Sequence, residues 1–133
     1  MKIIKYAAID IGSNAIRMLI ANVIFKDNKS YIFKNSLIRL PIRLGEDSFT
    51  KGHISESKIL DLIDAFKSFK LIMKIHNVSR FKVYATSALR ESSNKMKIVE
   101  RVFNESKIKI EIINGKKEAI IICKTNNFKN LDY

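Results

Sequence analysis

An α/β domain built on one mixed sheet is the fold class this sequence predicts, and a change of period along the chain predicts it. Up to residue 44 the apolar residues come as short β-branched runs parted by tight polar turns, the pattern of consecutive strands. From residue 55 onward apolar positions fall at three- and four-residue steps, interleaved with short strand-like segments. The resulting order is β-β-β-α-β-α-β-α, an antiparallel meander followed by alternating strands and helices, which implies a mixed sheet covered by helices.

Each element has its own signal. Residues 2–11 are apolar and β-branched and are broken by Gly12-Ser13-Asn14; residues 16–25 resume the run as a second strand. Asp27 and Asn28 tolerate left-handed backbone angles and make a hairpin turn. A third strand is expected over 31–44, interrupted at Pro41 and ended by Gly45. Ile59, Leu62, Ile63, Phe66, Phe69, Ile72 and Met73 share one helix face, with Ser55 as its N-cap and Asn77 as its stop. A strand follows at 81–85. Ser92 or Asn94 caps a second helix that buries Ile98, Val99, Val102 and Phe103. A strand at 109–113 closes at Asn114-Gly115, residues 116–124 read as a third helix, and 125–133 are polar without a period.

At 133 residues, 47% hydrophobic and 29% charged, the chain is one folded domain with no internal repeat. One cysteine, Cys123, excludes a disulfide framework and a cysteine-based zinc site, and its apolar neighbours make it a core thiol. His53 and His76 share no metal-ligand spacing. The net charge of +12 comes from 25 basic residues, 19 of them lysine. It suits a polyanion, but solvated lysines are the plainer reading, and it carries no specific nucleic-acid signal. A basic start precedes the apolar stretch 6–25, yet Asp10 and Arg17 lie inside it and no cleavage pattern follows. A charge at the centre of a membrane helix costs about 2.5–3.5 kcal/mol, so two exclude a span. The expected location is the cytoplasm, without a membrane partner.

Four segments carry chemistry. In Asp10-Ile11-Gly12-Ser13-Asn14 a carboxylate at a strand end leads into a glycine turn, whose consecutive amides suit an anion and whose Asp suits Mg²⁺. The turn joins strand to strand, which excludes a Walker loop or a dinucleotide fingerprint. Tyr84-Ala85-Thr86-Ser87-Ala88-Leu89-Arg90-Glu91 ends a strand in two hydroxyls and an arginine, a donor set for phosphate. Ile113-Asn114-Gly115-Lys116-Lys117-Glu118-Ala119 puts Glu118 in the first turn of a helix, where it is either a dipole-stabilised helix start or a general base. Arg43-Leu44-Gly45 sets an arginine before a glycine turn. Each alone has a plainer reading: a hairpin, a helix cap with a surface arginine, a helix-start glutamate.

Together and in this order, these segments resemble the N-terminal part of the exopolyphosphatase/guanosine pentaphosphate phosphatase (Ppx/GppA) family. The stretches that carry the resemblance are Ala7 through Asn14, Ile42-Arg43-Leu44-Gly45-Glu46, Ala85 through Glu91 with Asn94, and Ile113 through Ala119. The resemblance implies a ribonuclease H-like lobe of the actin-like ATPase superfamily. It implies removal of terminal phosphate from inorganic polyphosphate or guanosine pentaphosphate with a divalent cation, usually Mg²⁺. By position, Gly12, Ser13 and Asn14 are similar to the family's first phosphate loop, and Asp10 to the acidic residue near the metal. Arg43 and Arg90 are similar to its phosphate contacts, and Glu118 to the glutamate that activates the attacking water.

The family is longer and closes its phosphate site with a second, C-terminal lobe. Residues 1–124 are therefore expected to be the N-terminal lobe and 125–133 the start of the connection to the second. As a fragment it is expected to be inactive and to self-associate, as a homodimer, through the face left open. A non-catalytic module sensing polyphosphate or an alarmone remains an alternative. A sugar-kinase or actin-like lobe is a third reading, which the 85–91 and 115–119 segments disfavour.

Overall fold

The computed structural model describes residues 1–114. Strands β1 (Lys2–Ile11), β2 (Ile16–Lys26) and β3 (Lys29–Leu40) form the meander, followed by helices α1 (Leu44–Lys51) and α2 (Glu56–Ile75). Then come strand β4 (Arg80–Ala85), the single turn α3 (Ser87–Arg90), helix α4 (Lys95–Ser106) and the short strand β5 (Glu111–Ile112). The sheet order is β3-β2-β1-β4-β5, with β1–β2 and β2–β3 antiparallel and β1–β4 and β4–β5 parallel. The carboxyl ends of β1, β4 and β5 thus lie along one edge of the sheet.

The expected meander is present because alternation decides it. Ala7, Ile9 and Ile11 of β1 pair with Ile20, Met18 and Ile16 of β2, and all six are buried. Asp10 pairs with Arg17 on the opposite face. Asp27 and Asn28 take φ of 52° and 62°, the left-handed pair that a two-residue hairpin needs. Helices α2 and α4 cover the apolar face with Leu62, Ile63, Phe66, Phe69, Ile98 and Val102. Phe66 and Phe69 meet edge to face at 6.2 Å. Arg101 of α4 donates two 2.7 Å bonds to the Glu56 carboxylate at the start of α2. Asn77 does end α2: at φ 57° it donates to Lys74, and Val78 donates to Met73, the paired bonds of a left-handed helix stop.

Three expectations are corrected. The third strand ends at Leu40 rather than 44, because the chain beyond Pro41 folds into successive tight turns, Ile42 to Leu40 and Leu44 to Ile42. Gly45 lies inside α1 and not in a turn; the glycine that ends this helix is Gly52, at φ 74°. The last described strand covers two residues rather than 109–113, although Ile108, Ile110 and Ile113 are buried. Ser55 and Asn94 occupy the N-cap positions of α2 and α4, but neither side chain caps its helix. Asn94 instead binds the amide and the carbonyl of Ile54, at 3.1 and 2.9 Å, tying α4 to the entrance of α2. The helix expected at 116–124, with Glu118 and Cys123, lies outside the described residues. Among the described residues no helix is long and apolar enough to cross a membrane.

Candidate phosphate site at the strand ends

The loop after β1 is built by backbone contacts from three directions. Gly12 donates to the Ala15 carbonyl at 3.0 Å, and a Cβ at Gly12 would lie 3.0 Å from that same oxygen. Only a residue without a side chain closes this turn unstrained. The Ser13 carbonyl accepts from the Gly45 amide at 2.9 Å, which seats the first turn of α1 on the loop. A Cβ at Gly45 would meet Ser13 Cβ at 3.1 Å and the Ser13 carbonyl at 3.2 Å, so glycine is required here for close approach rather than for an unusual φ. From the third direction, Ser13 Oγ lies 3.3 Å from Ser87 Oγ, at the start of α3. Thr86 donates to the Ile11 carbonyl from its amide at 3.2 Å and from its hydroxyl at 3.3 Å.

Behind the loop, buried hydroxyls join α1 to α3. Ser48 donates to the Ala88 carbonyl at 2.6 Å, and Ser92 Oγ lies 2.7 Å from that carbonyl and 3.1 Å from Ser48 Oγ. Nothing in local spacing singles out Ser48 and Ser92, because their hydroxyls meet across forty-four positions. Buried polar groups without a partner cost about 1–3 kcal/mol each, so this closed set fixes the two helices against each other.

Of the residues expected in the site, Gly12 and Ser13 are brought together with Gly45 and Ser87, and Asn14 stands at the loop tip. Arg90 reaches from α3 to the end of β5, where Nη1 donates to the Ile113 carbonyl at 2.8 Å. Its Nε lies 3.3 Å from Glu91. Arg43 immediately precedes α1 and is 64% exposed, with Nη1 3.4 Å from Glu46 Oε1. Asp10 is in an ion pair with Arg17 at 2.6 Å. Glu118 lies outside the described residues.

The first turn of α1 also holds two carboxylates that the sequence did not single out. Asp47 is buried and accepts from the Ser55 amide at 2.8 Å. Hydrogen bonds from Ser55, helped by the Lys58 ammonium 3.2 Å away, lower its pKa to about 2. Glu46 is lowered by Lys58 first and Arg43 second. No group of three or more acidic, His or Cys side chains that could hold a metal occurs among the described residues.

A glycine loop at the carboxyl end of β1, with Arg43 before α1 and Arg90 on α3, supplies amide and guanidinium donors whose chemistry suits an anion such as phosphate. Residues 27–125 match the Ppx/GppA phosphatase family, and the chain belongs to that family. It is 37% identical over 129 residues to a bifunctional 3-dehydroquinate synthase/phosphatase of Fusobacterium nucleatum, covering 94% of this chain and 18% of that protein. It is 23% identical to exopolyphosphatase 1 of Mycobacterium bovis, over 86% of this chain and 33% of the relative. Among solved structures, the Ppx/GppA family member of Aquifex aeolicus superimposes with a TM-score of 0.80 at 31% identity, over 88% of this chain and 37% of that one. An exopolyphosphatase of Cytophaga hutchinsonii gives 0.77 at 30% identity, over 86% and 36%. The fold is thus the ribonuclease H-like, actin-like ATPase lobe. The chain spans about a third or less of the length of these relatives.

Proposed function

We propose that the protein is a phosphoanhydride hydrolase that removes terminal phosphate from inorganic polyphosphate or guanosine pentaphosphate in the cytoplasm. Residues 1–124 would serve as its phosphate-gripping lobe and 125–133 as the start of the connection to a second, C-terminal lobe. The observation that carries this reading is the seating of the Gly12–Ser13–Asn14 loop between α1, which follows Arg43, and α3, which carries Arg90. The names of the exopolyphosphatase relatives support the substrate class.

Hydrolysis of a phosphoanhydride requires neutralised non-bridging oxygens, a water in line and a group that orients or deprotonates it. Loop amides and the two arginines supply positive potential for the phosphates. Glu118 is the proposed base. Mg²⁺ is the proposed metal, and the hard carboxylate of Asp10 would hold it, directly or through water. When bound, the ion supplies charge neutralisation at the phosphate oxygens. Arg17, on Asp10 at 2.6 Å, orients that carboxylate.

The test is phosphate release by the purified whole protein from polyphosphate and from guanosine pentaphosphate, with and without Mg²⁺. Mg²⁺-dependent release is expected, and residues 1–133 alone should release phosphate near background. Binding of polyphosphate without turnover by the whole protein would instead make it a sensor.

A further inference from the structure

Glu46 divides its carboxylate between two cations. Oε1 lies 3.4 Å from Arg43 Nη1, and Oε2 lies 3.2 Å from Lys58 Nζ. The two contacts are unequal in setting. Arg43 and Glu46 are 64% and 58% exposed and their contact is long, whereas Lys58 is 20% exposed. Lys58 also donates to the Arg43 carbonyl at 2.6 Å and pairs with Asp47 Oδ1 at 3.2 Å. An ammonium has three N–H groups, and here three acceptors at the start of α1 surround it. Lys58 therefore holds the backbone of Arg43 and one half of Glu46, while the Arg43 guanidinium rests loosely on the other half.

We propose that Lys58 is a positioning residue for phosphate binding: by keeping Glu46 neutralised, it leaves the Arg43 guanidinium available to leave Glu46 for a substrate phosphate. This rests on the reading of Arg43 as a phosphate contact. Without Lys58, the Glu46 carboxylate faces Arg43 alone, and the Arg43 carbonyl keeps only the longer bond from the Glu46 amide, at 3.2 Å. The arginine is then held by its own helix in competition with substrate, a loss in binding and not in chemistry.

The experiment compares steady-state phosphate release from polyphosphate by whole-protein variants, with melting temperature as a fold control. Lys58→Met should raise KM about tenfold with kcat changed less than about twofold, and Lys58→Arg should restore most of the loss. The double variant Glu46→Gln/Lys58→Met should return KM to within about threefold of the parent, because the competing carboxylate is gone. Glu46→Gln alone, which keeps Lys58, should lower KM, so the proposal stays exposed even if Lys58→Met fails to fold. An unchanged KM for Lys58→Met beside a raised KM for Arg43→Ala overturns this proposal alone. An unchanged KM for Arg43→Ala overturns the reading of Arg43 and this proposal with it. A fall in kcat and melting temperature that Glu46→Gln does not relieve makes Lys58 a purely structural residue and also overturns it.

Discussion

The amide of Gly45 donates to the carbonyl of Ser13 at 2.9 Å, so the proposed phosphate loop is tied directly to the first turn of the helix that follows Arg43. The consequence is a separation between stability and binding at Gly45. Alanine in place of a helix-interior glycine gains about 1 kcal/mol of helix propensity, and less at Gly45, the second residue of α1. Its Cβ, however, would meet Ser13 Cβ at 3.1 Å and the hydrogen-bonded Ser13 carbonyl at 3.2 Å, and the backbone oxygen cannot turn aside as a side chain would.

Gly45→Ala is therefore expected to leave the melting temperature within a few degrees of the parent, the two terms offsetting. It should raise KM for polyphosphate about tenfold, because a few tenths of an ångström at Ser13 moves the loop amides off the phosphate. Melting curves and steady-state kinetics on the same preparation check it. A stability loss with unchanged KM would show that the loop tolerates the shift.

The Asp47 carboxyl gives a pH-dependent prediction. Ser55 and then Lys58 lower its folded pKa to about 2, below the ordinary value of 3.8. The stabilisation is thus fully present above about pH 4 and is lost as pH falls from there toward 2. Asp47→Asn keeps an acceptor for the Ser55 amide but loses the charge beside Lys58, and should cost about 1 kcal/mol at neutral pH. Glu56, also lowered, pairs with Arg101 and acts in both proteins alike; Glu46 shares Lys58 with Asp47, so both proteins carry Glu46→Gln and the difference isolates Asp47. Urea midpoints of parent and variant should differ at pH 7, draw together as pH falls from about 4 toward 2, and converge only below about pH 2. A gap that persists in acid counts against the pairing.

How far the sequence showed these features depends on the distance over which each signal acts. The β1–β2 pair, the Asp27–Asn28 turn and the stop at Asn77 rest on alternation and on residues that tolerate positive φ, both visible within a few positions. Helix α1 did not show, because its buried residues are Leu44, Asp47 and Ser48: two of the three are polar, so no apolar period exists to find. Pro41 and Gly45 looked like turn signals in the same stretch, and α3, at four residues, is too short for any period. The loop glycine and the arginines were legible by residue type. Lys58 was not, since its partner Arg43 lies fifteen positions away, before a different helix, nor were Ser48 and Ser92, whose hydroxyls meet across forty-four.

Arg90 distinguishes geometry from charge. Its guanidinium commits Nη1 to the Ile113 carbonyl at 2.8 Å, which fixes the orientation of the planar fork. Arg90→Lys keeps the charge, but an ammonium on a flexible stem does not reproduce that anchored fork. KM for polyphosphate should rise at least about tenfold while the melting temperature falls by no more than a few degrees, since each partly exposed hydrogen bond is worth about 1 kcal/mol. Equal KM values for the parent and the Arg90→Lys variant would remove the fork from the binding account and leave only a charge.

The Ile113 carbonyl that anchors Arg90 lies five positions before Glu118, so the proposed base follows directly from the strand end that holds a proposed phosphate contact. Glu118→Gln preserves size and hydrogen-bonding capacity and removes the basic lone pairs. General-base catalysis contributes about 10²- to 10⁴-fold, so kcat in the whole protein should fall by at least about 10²-fold. KM should stay within about threefold, because the loop and the arginines remain. The acid limb of the pH profile is the second readout. The parent should lose kcat/KM as the base protonates, while the residual activity of Glu118→Gln should be flat over that range. If kcat and the acid limb both survive the substitution, Glu118 is not the base, which must then be sought elsewhere in the whole protein.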